Sequence, residues 1–365
     1  MKIAFKKEVA LASLQPLQGV MSSKSILPIL SYVILEAKSK EARVIASDLE
    51  LWISCLFSAK IEEEGAVTIP GRRFFNIIRE LPGDEAVLES GEDNVTKIKC
   101  QRSYFKMVGM VREEFPARPD LGKTAEVKIK QSELKDLIKK TSYAISRDET
   151  RYVLNGLDLI FKDNKVTAVA TDGRRLALAE AEISMPEGMN REIILPAKAV
   201  QELGRILEDG EEVKIQLGEK QVAFQFKQML LISRLIDGRF PNFRQVIPSK
   251  CKEKIKLPRI GFMQMVRRAS LLTSEKSNSV KFAFGPGTVK VTAVTPEVGE
   301  SREEMNIEYQ GEGLEIAFNP QYIIDILKTL EEEENVYFEL TDSNQPGLFR
   351  TDGKFLCVIM PMKLS

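Results

Sequence analysis

Histidine carries most proton transfer near neutral pH, and this chain of 365 residues contains none. That removes a Ser-His-Asp triad, a Cys-His pair and an H-E-x-x-H metal site in one step. No G-x-x-x-x-G-K-[ST] phosphate loop and no G-x-G-x-x-G stretch is present. Carboxylate chemistry remains open, and a metal-dependent nuclease is the enzyme reading to weigh. It would need clustered carboxylates for two ions, whereas Asp48, Asp172 and Asp237 each stand in a separate turn-like context. Cys55, Cys100, Cys251 and Cys357 are scattered without a C-x-x-C, which speaks against zinc and fits free thiols better than disulfides. Neither a metal nor a cofactor is expected. Charge is balanced at 53 basic against 53 acidic residues, although a protein that grips DNA by its phosphates usually carries a basic excess. Either nucleic acid is not the ligand, or contact is light and something other than charge retains it.

The elements that would position such residues recur along the chain. Val67-Thr68-Ile69-Pro70 precedes a helical pattern over 72–81, Ile193-Ile194-Leu195-Pro196 one over 197–207, and Ile316-Ala317-Phe318-Asn319-Pro320 one over 321–330. The three prolines lie 126 and 124 residues apart, and each suits a helix first turn. Val44-Ile45-Ala46-Ser47-Asp48 returns as Ala168-Val169-Ala170-Thr171-Asp172 after 124 residues, and Phe115-Pro116 as Phe240-Pro241 after 125. A further helix follows each opening, at about 7–19, 131–143 and 259–272. Near-equal offsets in one order mean three copies of one domain, expected at 1–122, 125–248 and 253–365. Strand patterns outnumber helices, with turns at Asp172-Gly173, Asp237-Gly238 and Asp352-Gly353. The expected class is α+β: three tandem repeats, each with two helices on one face of antiparallel sheet.

Length and an apolar content of 43% allow each repeat a core of its own. Met1 leads into Lys2-Ile3-Ala4-Phe5 without the pattern of a signal peptide, and no stretch approaches the roughly 18 apolar residues of a membrane span, so a cytoplasmic protein is expected. The helices are amphipathic. Leu134, Leu137, Ile138 and Thr141 oppose Lys135, Lys139 and Lys140; Val200, Leu203 and Leu207 oppose Lys198 and Arg205. Phe74, Ile77, Ile78 and Leu81 oppose Arg72, Asn76 and Arg79, and the third repeat offers Arg259, Arg267 and Arg268. One such face is an ordinary solvated surface; several at equivalent positions suggest a shared basic one.

Leu27-Pro28-Ile29-Leu30, Arg151-Tyr152-Val153-Leu154-Asn155-Gly156, Ala170-Thr171-Asp172-Gly173-Arg174-Arg175-Leu176-Ala177, Asp237-Gly238-Arg239-Phe240-Pro241-Asn242-Phe243 and the terminal Val358-Ile359-Met360-Pro361-Met362-Lys363-Leu364 resemble bacterial DNA polymerase III beta subunits, the beta sliding clamps, in unbroken order from residue 1 to 365. The resemblance implies a non-enzymatic processivity factor: a head-to-tail homodimer closing a ring of six domains, with helices lining the hole and sheets outside. Duplex DNA would be held by topology, without sequence preference, which reconciles zero net charge with DNA as ligand. It also implies a pocket between the second and third domains for short peptides of the replicative polymerase, clamp loader and repair proteins. Carried over by motif, its wall is Leu154, Thr171, Gly173, Arg174, Arg175, Leu176, Pro241, Val246, Val358, Ile359, Met360, Pro361 and Met362. Arg175 would orient the peptide, and Met side chains would adapt to several ligands. Expected DNA-facing residues are Lys24, Arg72, Arg79, Lys135, Lys139, Arg147, Tyr152, Lys198, Arg205 and Arg267; Phe105 and Met107 would meet Leu271 and Leu272 of the other chain. Arg174 stands where the family often has His, Val153 where an aromatic occurs, and Gln245 where a basic residue is usual. A specialised clamp serving a different polymerase would share all these features.

Overall fold

The computed structural model describes residues 1–21, 27–91, 93–273, 278–296 and 298–363. The first repeat runs β1 (Lys2–Lys6), α1 (Lys7–Leu14), β2 (Tyr32–Lys38), β3 (Glu41–Ser47), β4 (Leu51–Ser58), β5 (Lys60–Glu63), β6 (Gly65–Pro70), α2 (Gly71–Glu80), β7 (Glu85–Ser90), β8 (Val95–Cys100) and β9 (Ser103–Val108). The second runs β10 (Ala125–Lys130), α3 (Gln131–Thr141), β11 (Gly156–Lys162), β12 (Lys165–Thr171), β13 (Arg175–Glu182), β14 (Asn190–Pro196), α4 (Ala197–Ile206), β15 (Glu212–Leu217), β16 (Gln221–Phe226) and β17 (Met229–Arg234). The third runs β18 (Glu253–Pro258), α5 (Arg259–Ala269), β19 (Val280–Gly285), β20 (Thr288–Thr295), β21 (Gly299–Asn306), β22 (Leu314–Phe318), α6 (Pro320–Thr329), β23 (Asn335–Leu340), β24 (Gly347–Arg350) and β25 (Phe355–Ile359). Apart from the additional β5, the order is one pattern told three times, α+β with antiparallel pairing throughout.

Helix limits differ from the sequence reading where the chain has a physical reason to stop. The helix expected to reach residue 19 ends at Leu14 and continues as a 3-10 turn over Gln15–Gly19. Pro16 sits in that turn, lacking the N–H an α-helix would need and clashing with its preceding turn. Likewise α3 and α5 tighten into 3-10 turns at Ser142–Ala144 and Ser270–Leu272. Pro320 does open α6, whereas Pro70 caps α2 from outside and Pro196 closes β14.

The chain forms two compact bodies, residues 1–132 with 205–235 and residues 133–204 with 236–365. The first contains a five-stranded sheet, β5-β1-β7-β8-β9, and an eight-stranded sheet, β10-β15-β16-β17-β4-β3-β2-β6. The second contains an eight-stranded sheet, β14-β11-β12-β13-β25-β24-β23-β18, and a four-stranded sheet, β21-β20-β19-β22. Each eight-stranded sheet joins half of one repeat to half of the next, through β17–β4 in one body and β25–β13 in the other. The core of the second body includes a chain of packed rings, with Phe338 and Phe349 stacked at 4.1 Å and Phe318 and Phe284 against Phe338. The predicted inward helix positions are buried: Leu134, Leu137 and Ile138 on α3, Val200 and Leu203 on α4, Phe74 and Ile78 on α2.

Candidate partner pocket, helix faces and open strand edges

In the second body β13 pairs with β25, setting Leu176 opposite Val358 and Arg175 opposite Ile359. The pairing extends past the strand, since Met360 N–H donates to Arg174 O at 2.9 Å. Two segments almost two hundred residues apart in sequence are thus laid side by side. The turn before β13 is fixed by its own side chains. Asp172 Oδ1 accepts from the N–H groups of Arg174 and Arg175, Thr171 Oγ1 donates to Arg175 O at 2.7 Å, and Gly173 adopts φ +83°. Side chains alternate across a sheet, so Leu176 and Val358 share one face, with Val169, Leu178, Ile194 and Leu348 beside them. Leu154, Phe240 and Phe243 pack on that face, and Met360, two residues on from Val358 and 43% exposed, continues it at its edge; Val246, in the segment that follows Phe243, is 48% exposed. The result is an apolar surface whose rim holds a flexible thioether. Beyond Met360, Met362 bridges to Ala317 on β22, holding the chain end against the third repeat's other sheet.

The same alternation turns Arg175 and Ile359 to the opposite face, behind this surface. Arg175 therefore does not offer its guanidinium to a ligand as the sequence reading expected. The side chain is 11% exposed and donates to Asp325 Oδ2 at 2.7 Å, Tyr143 O at 2.6 Å and Asp172 Oδ2 at 3.1 Å, lying between the rings of Tyr143 and Tyr322. Burial works against its charge, but Asp325 and Asp172 outweigh it and hold the guanidinium's pKa above the usual arginine value. Arg175 is a strut tying the turn to α6. Ile359 is wholly buried. Gly173 and Arg174 stay exposed at the turn.

Taken helix by helix, Arg72 and Arg79 are exposed on α2, Lys139 is exposed and Lys135 half-exposed on α3, Lys198 is half-exposed on α4, and Arg267 is exposed on α5. Some of this charge is engaged. Lys139 pairs with Glu331 at 2.8 Å, Arg79 with Glu80 at 3.0 Å, and Arg205 donates to Gln15 O and Pro16 O. Arg268 binds Glu303 through both carboxylate oxygens. Arg259 leaves the basic face altogether: it is 7% exposed and donates to the carbonyls of Leu327, Glu331 and Glu333, capping the end of α6. Arg147 and Tyr152 are exposed, and Lys24 lies outside the described residues.

Each of the four sheets ends in two edge strands among the described residues; two of these are β9, which pairs only with β8, and β21, which pairs only with β20. Near them lie Phe105 (half-buried), Met107 (turned into its own body), Leu271 (77% exposed) and Leu272. The sequence reading missed Tyr104 and Val108 on β9, and Val294 and Val298 beside β21, all exposed. Alternation along Ser103–Val108 carried the signal for the first pair. Among the described residues no group of three or more carboxylate or cysteine side chains is gathered for a metal ion. Asp48 and Asp172 instead accept backbone hydrogen bonds in their own turns.

Comparison with known proteins agrees along the whole chain. Family models for the DNA polymerase III beta subunit match at residues 1–119 (N-terminal domain), 128–242 (central domain) and 244–363 (C-terminal domain). The beta sliding clamp of Chlamydia pneumoniae is 36% identical over 351 residues, 96% of each chain. The crystal structure of the DNA polymerase sliding clamp from Bacillus subtilis superposes over 100% of both chains with a TM-score of 0.96 at 30% identity. The sliding clamp of Pseudomonas aeruginosa bound to griselimycin does so with a TM-score of 0.96 at 31% identity. Three repeats in one order, an antiparallel α+β fold and these likenesses from end to end mean that the chain belongs to the DNA polymerase III beta subunit family, the bacterial beta sliding clamps, which are processivity factors without catalytic activity of their own.

Proposed function

We propose that two copies of this chain close head to tail into a ring around duplex DNA and tether replication and repair proteins to it, with domains at 1–122, 125–248 and 253–365. One observation supports the ring above all. In repeat order β9, β17 and β25 are equivalent, as are β4, β13 and β21. Pairing β17 with β4 and β25 with β13 satisfies four of those six strands within the chain, leaving β9 and β21 with open edges. An open edge carries unpaired N–H and C=O groups and invites another strand. The same junction made a third time, β9 of one chain against β21 of the next, uses both edges and closes after two chains. Phe105 on one side and Leu271 and Leu272 on the other supply its apolar contact, with Met107, buried in its own body, supporting Phe105 from β9.

Retention of DNA is then topological. Arg72, Arg79, Lys135, Lys139, Arg147, Tyr152, Lys198, Arg205, Arg267 and Lys24 give light, sequence-blind phosphate contact, which permits sliding. The surface around Leu154, Leu176, Val246, Val358 and Met360, with Thr171, Gly173, Arg174, Pro241, Pro361 and Met362 at its margin, receives short peptides bearing Leu or Phe anchors from the polymerase, clamp loader and repair proteins. The setting is the cytoplasm, on the nucleoid.

Native mass in solution tests the ring: it should be twice the 41.1 kDa of one chain. Leu271→Ala with Leu272→Ala should weaken association by about 1–3 kcal/mol per side chain and give folded monomer on dilution. A dimer dissociation constant unchanged in the double variant would mean that this interface is misassigned.

A further inference from the structure

The triplicated fold supplies its own control for each position, and one position fails it. The residue opposite the one two places before the helix-leading proline is Ile34 in the first repeat and Val280 in the third, both buried. In the second repeat it is Asp158, 0% exposed, with both carboxylate oxygens buried and without a hydrogen-bond partner among the described residues. The scaffold asks for an aliphatic side chain there and has been given an acid. Departures of this kind from a sound local rule concentrate at functional sites.

Register places Asp158 on a particular face. It lies opposite Val169 on β12 and Ile194 on β14, both members of the apolar cluster that also contains Leu154, Leu176 and Val358. Ile160, two residues along β11, packs on the same cluster, as does Ile236 from the covering segment. Charged groups on that face are Glu192 on β14, Lys162 at the far end of β11, the Lys165–Glu180 pair across β12 and β13, Glu182 with Lys354 at the far end of β13, and the Arg350–Glu339 pair across β24 and β23; the covering segment carries Asp237 and Arg239. No cation contacts the carboxyl among the described residues.

We propose that Asp158 is a positioning residue that couples the partner pocket to protons: a neutral carboxylic acid keeps the apolar floor closed and receptive, and its ionisation opens that floor and weakens partner binding. The proposal rests on the pocket reading above. An ionised carboxylate in an apolar cluster must either recruit water or part its neighbours, and those neighbours continue directly into the pocket floor. An occupant seated on the floor excludes water further and so favours the protonated form. Burial, with the Glu192 charge adding to it, pushes the Asp158 carboxyl up to about 8 from its ordinary 3.8. The folded protein therefore holds a proton that the unfolded chain has released. Stability contributed by that proton is full below the unfolded pKa, declines as pH rises, and is gone above the folded one.

The test is the affinity of a fluorescein-labelled peptide with Leu and Phe anchors, read by anisotropy from pH 6 to 9 on the wild-type dimer, Asp158→Asn and Asp158→Ile, with each melting midpoint recorded alongside. Wild-type affinity should fall about fivefold or more between the acid and alkaline ends, while both variants stay level within about twofold. The melting midpoint of Asp158→Asn should rise relative to wild type as pH increases, and the difference should close toward pH 5. Parallel profiles for wild type and Asp158→Asn overturn the proposal and leave the pocket standing. Absence of peptide binding to wild type at every pH overturns the pocket reading itself, and the proposal with it.

Discussion

At the turn before β4, Ser47 Oγ donates to Leu51 O, Asp48 Oδ1 accepts from Leu51 N–H, and Leu49 sits at φ +76°. At the turn before β13, Thr171, Asp172, Arg175 and Gly173 make the same contacts with φ +83°. Arg234 N–H reaches Glu50 O where Met360 N–H reaches Arg174 O. Each turn also stands before an apolar cluster: Leu30, Ile45, Trp52, Phe115 and Ile232 in one body, Leu154, Val169, Leu176, Phe240 and Val358 in the other. The backbone is common, so the side chains make the difference. Trp52 replaces Leu176, Leu51 replaces Arg175, Arg234 replaces Met360, half-buried Leu121 replaces exposed Val246, and Ile34 replaces Asp158. An indole, with Arg118 over it at 5.9 Å, fills and roofs the first cluster. The second has a smaller Leu at that position, and Met360 and Val246 are exposed where the first has Arg234 and half-buried Leu121. One junction is finished as core, and the other is the surface proposed above to bind peptides.

Exchanging residues between the two junctions tests that division. Arg175→Leu, the residue of the first junction, should produce the largest effect. It takes the donor from Asp325 Oδ2 and Tyr143 O, leaving Asp325 only the Gln321 amide at Oδ1, and removing one member of a largely buried charge pair costs about 3 kcal/mol or more. Denaturant unfolding should show the loss even with no ligand present. A change below about 1 kcal/mol would mean that Arg175 is not the strut described above.

Next in size is Leu176→Trp combined with Met360→Arg, which finishes the second junction like the first. Peptide affinity should drop about tenfold or more, because anchor contacts carry most of the energy of small interfaces. The dimer should persist, since neither residue is on β9 or β21, the strands proposed to meet. Full affinity in a dimeric variant would move the pocket elsewhere.

The repeats were legible in the sequence because Pro70, Pro196 and Pro320 punctuate the chain at near-equal spacing, and the apolar helix faces because their period is long enough to read. The two segments expected at the pocket came from resemblance, and the structure pairs them as β13 and β25. Which side chains share the apolar face was not legible: Arg175 and Ile359 belong to the motifs but fall behind the sheet, since a residue's face depends on where the turn ends and the strand's alternation begins. Arg259 reads as surface because long cations usually are, and only tertiary structure brings the end of α6 to it. The β9 and β21 edges are a property of sheet order, which no local pattern encodes. Asp158 was readable and missed. Aligning the three copies position by position sets it against Ile34 and Val280, a signal that needs no coordinates once the repeat is recognised.

The smallest effect separates the two turns themselves. Both need a left-handed residue, and Gly173 meets that need freely, whereas Leu49 bears the steric cost of a Cβ in this region, about 1 kcal/mol. Leu49 is 44% exposed, so replacing it forfeits little burial. Leu49→Gly relieves the strain but adds backbone freedom to the unfolded chain, which offsets part of the gain. The net expectation is stabilisation by about 0.5 kcal/mol. Gly173→Leu should go the other way by about 1 kcal/mol, since its Cβ would meet Arg151 Nη1 at 2.7 Å and that flexible group can move aside. Thermal unfolding of the two variants against wild type measures both. Opposite signs follow from a common backbone carrying different residues; matching signs would show that the two turns are held by forces other than their shared hydrogen bonds.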